Sequence, residues 1–246
     1  MRSRPADPAA RIAAARRRPR RARRGLSRAL LLGLLVVLLL PSGLLLVYRF
    51  LPVPLTPLMV IRLADGEGLR KRWVPLDEMA PALPQAVVAA EDNRFCEHFG
   101  FDWHELEGQI DALLAGEAAR GASTITMQTA KNLFLWPDRD FVRKALEAWL
   151  TPQIELLWPK RRIIEVYLNV AELGPGIYGA EAAAQVHFGK PASALTSQEA
   201  ALLAAILPNP RAWDPARPTS YLQSRARTIR TRIDQLGPML DCVRPA

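Results

Sequence analysis

The stretch AEDNRFCEHFGFD, residues 90–102, follows the apolar run AVVAA at 86–90 and decides how the whole chain is interpreted. Continued as a helix, it would place Glu91, Phe95 and His98 along one face, because positions i, i+4 and i+7 share a side of a helix. A carboxylate at the mouth of an apolar helix can have its basicity tuned by desolvation and by neighbouring charges. From the residues alone, a salt-bridged surface helix and a catalytic site both fit, with the surface helix favoured.

The histidines and cysteines give little support for a metal site or a cross-link. A zinc site of His98, Asp102 and His104 is disfavoured, because the two histidines are not a helical i, i+4 pair and no third strong ligand is local. Cys96 and Cys242 could form a disulfide in an exported domain. Since they are far apart in the chain, that evidence is weak, and we expect two free thiols.

A second polar stretch, RGASTITMQTAKN, covers residues 120–132. Gly121 and Ala122 would let the backbone turn tightly before a helix, whose first N–H groups are free to bind an anion. The side chains that such a helix start would present are Ser123, Thr124, Gln128 and Lys131. An ordinary capped helix explains the pattern equally well.

Two further stretches combine charge with helical spacing. In RKALE, residues 143–147, Arg143 and Lys144 lie four and three positions, respectively, before Glu147 and share its helix face. Two cations beside one carboxylate keep it ionised and can grip a phosphate, although solvated ion pairs look the same. The stretch KRRIIEVYLNVAELG, residues 160–174, has a buried stripe and is interpreted as a supporting helix.

The net charge of +9 belongs to the N-terminal tail, since residues 1–28 contain eleven arginines and one acid. Residues 29–48 follow without a charge and are long enough to span a hydrocarbon core of about 30 Å. Arginines on the N-terminal side predict a cytoplasmic tail and an exported remainder. The apolar run is longer than that of a usual signal peptide, which disfavours a cleaved signal. The basic segment leads directly into this apolar run, which disfavours a nucleic-acid-binding arm. Residues 49–74 read as a proline-rich connector.

The remaining chain is predicted to be nearly all-α, with one core and no sheet. Helical patterns cover 86–95, 103–116, 123–135, 140–150, 160–173, 196–207 and about 217–236. Thr196 and Glu199 form a capping-box pattern. Pro152 is expected to interrupt the fourth helix, and LMVIRL, residues 58–63, to form a short strand.

Taken in order, EDNRFCEHFGFD, RGASTITMQTAKN, RKALE and KRRIIEVYLN resemble the motifs of the peptidoglycan glycosyltransferases. This family comprises monofunctional biosynthetic transglycosylases and the glycosyltransferase domain of class A penicillin-binding proteins. AKNLFLW and EAALLAAILPNP are similar to the monofunctional branch in particular. The resemblance covers about residues 75–235. It implies a mostly α, lysozyme-like glycosyltransferase domain at 75–240 behind a single N-terminal transmembrane helix.

The resemblance also implies a reaction and a site. The substrate would be lipid II, the undecaprenyl-pyrophosphoryl disaccharide-peptide, and the product a lipid-linked glycan strand plus undecaprenyl pyrophosphate. Glu91 matches the general base and Glu147 a carboxylate that works at the pyrophosphate. The basic positions around the phosphates match Lys131, Arg139, Arg143 and Lys144. The polar groups of the site wall match Ser123, Thr124 and Gln128.

Some positions depart from the family pattern. Ala122 and Met127 stand where a glycine and a glutamine are common, and a C-terminal arginine pair is met only loosely by Arg225 and Arg227. No dedicated carboxylate cage is visible, so no cofactor is predicted to be required, although divalent ions (Mg or Mn) help some relatives. A lysozyme-like lytic enzyme and a non-catalytic membrane-anchored scaffold are the alternatives.

The expected location is the bacterial inner membrane, crossed once, with a periplasmic catalytic domain. Lipid II, the growing glycan strand and the membrane are the expected partners, together with cell-wall synthesis or divisome proteins. We expect no nucleic-acid partner, because outside the tail the chain is close to neutral. With no Ser-x-x-Lys motif in the sequence, we expect a monofunctional enzyme.

Overall fold

The computed structural model describes residues 19–116, 123–138 and 140–244 of the chain. Three predictions therefore fall outside the described residues: the first part of the basic tail, the turn at Gly121 and Ala122, and the cation Arg139. The chain divides into two compact units, residues 1–44 and 45–246, each of which is described by itself.

The described part of the first unit is helical. Helix α1 spans Pro19–Tyr48, so the predicted segment 29–48 lies within it, and its last four residues belong to the second unit. No helix in the described part of the chain combines the length and the apolar character that crossing a membrane requires.

The second unit is mostly helical, as predicted. Its helices are α2 Pro57–Ala64, α3 Ala82–Glu91, α4 Trp103–Leu114, α5 Ile125–Phe134, α6 Phe141–Leu157, α7 Lys160–Val170, α8 Ala180–Phe188, α9 Ser197–Ile206 and α10 Ser220–Leu236. Short 3₁₀ segments cover Leu76–Glu78, Ala192–Ala194 and Gly237–Val243. A helix is present at each predicted position, whereas α2 and α8, the latter after the glycine-rich GPGIYG segment, were not predicted as helices.

Side chains at the helix starts explain where several helices begin. Thr124 caps α5 by accepting a hydrogen bond from the backbone N–H of Met127, and Asp140 caps α6 by accepting one from that of Arg143. The predicted capping box of Thr196 and Glu199 is present at the start of α9. Each such cap satisfies backbone N–H groups that the first turn of a helix cannot pair internally.

The core lies between α3, α5, α7 and α9. Seven of the ten residues of α9, from Ala200 to Ile206, are buried, and this helix packs against α3 and α10. Helix α5 packs against α6 and α7, where Ile125, Ile163 and Ile164 are fully buried. This packing holds the ends of α3 and α5, which carry the polar stretches of the sequence, close to α6.

The prediction of no sheet is wrong in detail, because three very short strands pair. β1 (Arg70–Lys71) runs parallel to β3 (Ile177–Tyr178), and β2 (Glu172–Gly174) runs antiparallel to it. Strands of two or three residues are too short to show the alternation that identifies a strand in a sequence.

Two local predictions about α2 and α6 are also wrong. LMVIRL forms most of α2 rather than a strand, because Thr56 caps a helix that starts with a proline. Helix α6 continues through Pro152 to Leu157. Around the proline, Thr151 donates its hydroxyl to the carbonyl of Glu147 at 2.7 Å, and Leu150 and Ile154 anchor both sides in the core. This packing outweighs the missing backbone hydrogen bond.

The opening stretch of the sequence is a helix end followed by a loop, not a continuous helix. Helix α3 ends at Glu91, and Asp92 already has a non-helical backbone, with φ −161° and ψ 79°. Glu91, Phe95 and His98 therefore do not share a helix face. The expectation of free thiols is wrong as well, because Cys96 in this loop forms a disulfide with Cys242 in the last 3₁₀ segment. The fold brings the loop after α3 next to the C-terminal 3₁₀ segment, which the separation of the two cysteines in the sequence could not show.

Candidate active site

Glu91 is the last residue of α3, and its carboxylate is nearly buried. Its Oε2 accepts a hydrogen bond from the amide Nε2 of Gln128 at 2.9 Å, and its Oε1 lies 3.9 Å from the guanidinium of Arg225. The side chain is 14% exposed. Burial raises the pKa of Glu91, while the Gln128 hydrogen bond and the charges of Arg225 and Lys131 act in the opposite direction. A carboxylate with a raised pKa is suited to accept a proton near neutral pH.

Asp92, the residue after Glu91, connects the loop that follows α3 to helix α5. The two oxygens of Asp92 lie 2.8 Å from Nε2 of His98 and 2.9 Å from the backbone nitrogen of Ile125, which donates to Asp92. A carboxylate of the protein itself therefore occupies the start of α5, which favours the ordinary capped helix over the anion site among the two explanations that the sequence left open.

The hydroxyl of Thr124 is also used in hydrogen bonds within the protein. Its hydroxyl donates to the carbonyl of Gly100 at 2.6 Å while capping α5, and its side chain is buried. Gly100 has φ +84°, and a Cβ at this position would lie 2.6 Å from Cγ2 of Thr151. Glycine is thus required both by the backbone conformation and by the close approach to α6. Thr124 acts as a structural link between the loop and α5, not as an exposed wall of the site.

Glu147 lies buried on α6 between two cations. It contacts the guanidinium of Arg143 through one oxygen, and the ammonium of Lys144 lies 2.9 Å from the other. Lys144 also donates to Oγ of Ser123 at 3.1 Å. The predicted grouping of two cations around one carboxylate is confirmed, and it leaves this cluster with a net positive charge.

Lys131 lies on α5 where it is influenced by both glutamates. Burial lowers its pKa, with Glu147 and Glu91 acting through space to raise it and Arg143 and Lys144 to lower it. Within the described residues, no carboxylate forms a salt bridge with its ammonium. Lys131 is therefore a partly desolvated cation that is available to an anionic ligand.

Some residues of this region were missed or only loosely predicted. Tyr167 of α7 was assigned to a buried apolar stripe, yet its hydroxyl donates to Oε1 of Gln128 at 2.9 Å. Arg225 approaches Glu91, whereas Arg227, its predicted companion, is exposed. A polar hydroxyl within an otherwise apolar helix face was the signal that could have identified Tyr167. Met127 is buried and makes no polar contribution to the site.

A groove opens beside Glu91 along α10. It has a volume of about 250 Å³ and is lined mainly by that helix, through Tyr221, Ser224, Arg225, Thr228, Ile229 and Arg232, with Ala90 from α3. Arg232 donates to the carbonyl of Ala89 at 2.9 Å, which fastens α10 to α3 near the site. Gln128 thus hydrogen-bonds Glu91, while the chain neighbour Ala90 and the nearby Arg225 line a basic, hydroxyl-bearing groove.

The described residues contain no group of three or more His, Cys, Asp and Glu that could hold a metal ion. What they bring together is a desolvated carboxylate, a free cation and a carboxylate held by two cations. This arrangement suits a group-transfer reaction, in which a base activates a nucleophile while cations stabilise an anionic leaving group.

Comparison with known sequences identifies the family. The family model described as Transglycosylase matches residues 59–234, and the chain belongs to this family. A biosynthetic peptidoglycan transglycosylase of Rhodospirillum centenum is 59% identical over 203 residues, which is 82% of this chain and 86% of the relative.

Other relatives carry the same description. The protein of Caulobacter vibrioides is 51% identical over 223 residues, covering 89% of this chain and 97% of its own, and that of Bdellovibrio bacteriovorus is 54% identical over 197 residues, covering 78% and 79%. Both are described as biosynthetic peptidoglycan transglycosylases.

Proposed function

We propose that this chain polymerises the glycan strands of peptidoglycan, transferring a lipid-linked glycan onto the disaccharide-peptide of lipid II. The observation that carries the proposal is a nearly buried carboxylate, Glu91, held by Gln128, in a unit that also places two cations, Arg143 and Lys144, against Glu147. One desolvated base and one cation-rich pocket are the two elements that glycosyl transfer from a pyrophosphate needs.

The base step follows from the surroundings of Glu91. Gln128 already bonds Oε2, so Oε1, which faces Arg225, is the oxygen left to take a proton. Glu91 accepts the proton of the acceptor sugar's 4-hydroxyl as that oxygen attacks the anomeric carbon of the donor. The bond between that carbon and the pyrophosphate oxygen breaks, and attack from the opposite face inverts the configuration, as in inverting glycosidases.

The leaving group needs positive charge more than a proton. Undecaprenyl pyrophosphate departs as a stable anion, so cations placed where its charge develops lower the barrier without a general acid. Lys131, Arg143 and Lys144 supply this charge, and Glu147 orients the latter two. By the family resemblance, Arg139 is expected to be a further cation for the phosphates, and Ser123 a polar group of the site wall.

The acceptor is assigned to the groove along α10. This groove begins at Ala90, next to the open side of Glu91, and presents guanidinium and hydroxyl groups. Such donors suit the oxygen atoms of a sugar and its substituents.

A membrane location suits a substrate whose lipid tail stays in the bilayer. From the charge-free sequence 29–48 and the arginines before it, we infer that this segment anchors the chain in the bacterial inner membrane, with the arginine-rich tail in the cytoplasm and the catalytic unit in the periplasm. Large apolar side chains are exposed next to this segment in the sequence, namely Phe50, Leu51, Leu55, Val60 and Leu63, and they support contact with lipid. Cell-wall synthesis or divisome partners, and help from Mg or Mn, stay predictions.

A lytic activity is the second enzymatic candidate, and incubating the purified chain with two substrates discriminates between them. Labelled lipid II should be converted to polymer by the chain, while finished peptidoglycan should release no fragments. Fragment release without polymer formation would identify a lytic enzyme instead, and neither activity would favour a scaffold.

A further inference from the structure

Three side chains from three helices form a hydrogen-bonded chain that ends on the catalytic carboxylate. The hydroxyl of Tyr167 on α7 donates to Oε1 of Gln128 on α5 at 2.9 Å. The amide Nε2 of Gln128 then donates to Oε2 of Glu91 at the end of α3, also at 2.9 Å. Tyr167 is 2% exposed, so its hydroxyl is oriented by the protein and not by solvent.

The direction of these hydrogen bonds matters. A glutamine amide has a donor end and an acceptor end that differ little in shape, and only its neighbours determine which end points where. Tyr167 has one proton to donate, and donating it to Oε1 turns the N–H end of Gln128 toward Glu91. Without that hydroxyl, Oε1 of Gln128 loses its donor, and the amide is held only by its hydrogen bond to Glu91, so its donor end is less firmly positioned.

We propose that Tyr167 and Gln128 are positioning residues for the base, which occupy Oε2 of Glu91 and leave Oε1 as the proton-accepting atom. This assignment rests on the proposed function. It gives Gln128 a role toward Glu91 rather than toward the substrate, and it gives a buried tyrosine of the supporting helix a role in the chemistry.

The charges around Glu91 determine the direction of the expected effect. The charges of Arg225 and Lys131 lower its pKa, as does the Gln128 hydrogen bond, whereas burial and the charge of Asp92 raise it. Tyr167 stays a neutral donor, since burial and the charge of Glu91 raise its pKa well above the ordinary value. Loss of the amide donor therefore raises the pKa of Glu91, and the acidic limb of the rate profile moves to higher pH.

The test is the pH dependence of lipid II polymerisation in full-length Tyr167→Phe, with Tyr178→Phe as the matched control. Both tyrosines are buried, but the hydroxyl of Tyr178 has no hydrogen-bond partner among the described residues. In Tyr167→Phe we expect kcat at neutral pH to fall by about tenfold. The acidic limb of the pH profile should move to higher pH, and KM should change little. In Tyr178→Phe the limb should stay in place.

Two further measurements separate positioning from a loss of stability. Gln128→Met keeps the length of the side chain but removes both hydrogen bonds, and it should shift the acidic limb at least as far as Tyr167→Phe. The Glu91 carboxyl signal, assigned in ¹³C-glutamate spectra by its absence from Glu91→Gln, should titrate at higher pH in either variant. If Tyr167→Phe does not fold, Gln128→Met alone decides.

The outcomes also distinguish this inference from the proposed function. If wild-type protein polymerises lipid II but both variants keep its acidic limb and its Glu91 titration, the positioning role is wrong and the function stands. If the wild type forms no polymer, the proposed function fails, and the ¹³C titration still tests the hydrogen-bonded chain.

Discussion

The backbone N–H of Ile125 donates a 2.9 Å hydrogen bond to the carboxylate of Asp92, so the residue next to Glu91, the proposed base, caps the start of α5. The other oxygen of Asp92 is 2.8 Å from His98. One buried carboxylate thereby holds both the end of α3 and the loop after it in register with the helix that carries Gln128 and Lys131.

Replacing Asp92 should damage stability and activity together. In Asp92→Ala, the N–H of Ile125 and the ring of His98 lose their buried partner, which should lower the free energy of unfolding by about 1–3 kcal/mol. Because α5 then shifts relative to Glu91, polymerisation should fall more than tenfold. Chemical denaturation measures the loss of stability, and initial rates of polymerisation measure the loss of activity. Asp111→Ala, at an exposed position of α4, is the control, and equal behaviour of the two variants would contradict the capping role.

Removing a cation of the α6 cluster should weaken the grip on the pyrophosphate. Arg143→Ala leaves Glu147 buried with Lys144 alone, and we expect the apparent affinity for lipid II to fall by about tenfold or more. Arg217→Ala is the matched control, because that arginine is 90% exposed and pairs only with Asp214 among the described residues. An affinity for lipid II that does not change in Arg143→Ala would argue against a phosphate contact.

The pH profile should be bell-shaped and narrower than free side chains would give. Glu91 must be deprotonated to act as a base, and since burial raises its pKa, activity is lost on the acidic side above the range of an exposed glutamate. Lys131 must be protonated to bind phosphate, and since burial lowers its pKa, activity falls on the alkaline side below the range of an exposed lysine.

Lys131→Arg provides the check on the alkaline limb. An arginine stays protonated throughout the accessible range, so the variant should lose the alkaline limb while keeping the acidic one. Initial rates across the pH range measure both limbs. If the alkaline limb stays in place in Lys131→Arg, a group other than Lys131 is responsible for it.

The disulfide should stabilise the catalytic unit. Cys96 lies five positions after Glu91, and its bond to Cys242 closes most of the domain into one loop. Loop-closure arguments for so long a loop give about 3–5 kcal/mol. Unfolding of wild type with and without a dithiol reductant, compared with the Cys96→Ser/Cys242→Ser double variant, measures this contribution. If the free energy of unfolding is the same for wild type, reduced wild type and the double variant, the disulfide contributes nothing to stability.

The sequence predicted the helices and the grouping of charges because both depend on short-range spacing. The i, i+3 and i+4 positions of RKALE suffice to place Arg143, Lys144 and Glu147 together once α6 forms. Likewise, Thr196 and Glu199 specify the start of α9 by themselves. Order and spacing of four such stretches, together with the family resemblance, singled out Glu91.

What escaped prediction depends on contacts between distant parts of the chain. Asp92 looked like another charge of a helix, and only the approach of α5 shows that it is a cap. Gln128 has the same local pattern whether it faces a substrate or Glu91, and the position of Tyr167 decides between them. Pro152 usually ends a helix, but the packing of Leu150 and Ile154 is stronger than that local preference.

The central claim is that Glu91 is the base, and Glu91→Gln tests it most directly. Glutamine keeps the size of the side chain and can still hydrogen-bond Gln128, but it cannot accept the proton of the acceptor hydroxyl. With thermal unfolding as the control for the fold, the initial rate of lipid II polymerisation should fall by at least about 10²-fold while the melting temperature stays close to that of wild type. A variant that folds normally and polymerises lipid II at nearly the wild-type rate would contradict the account.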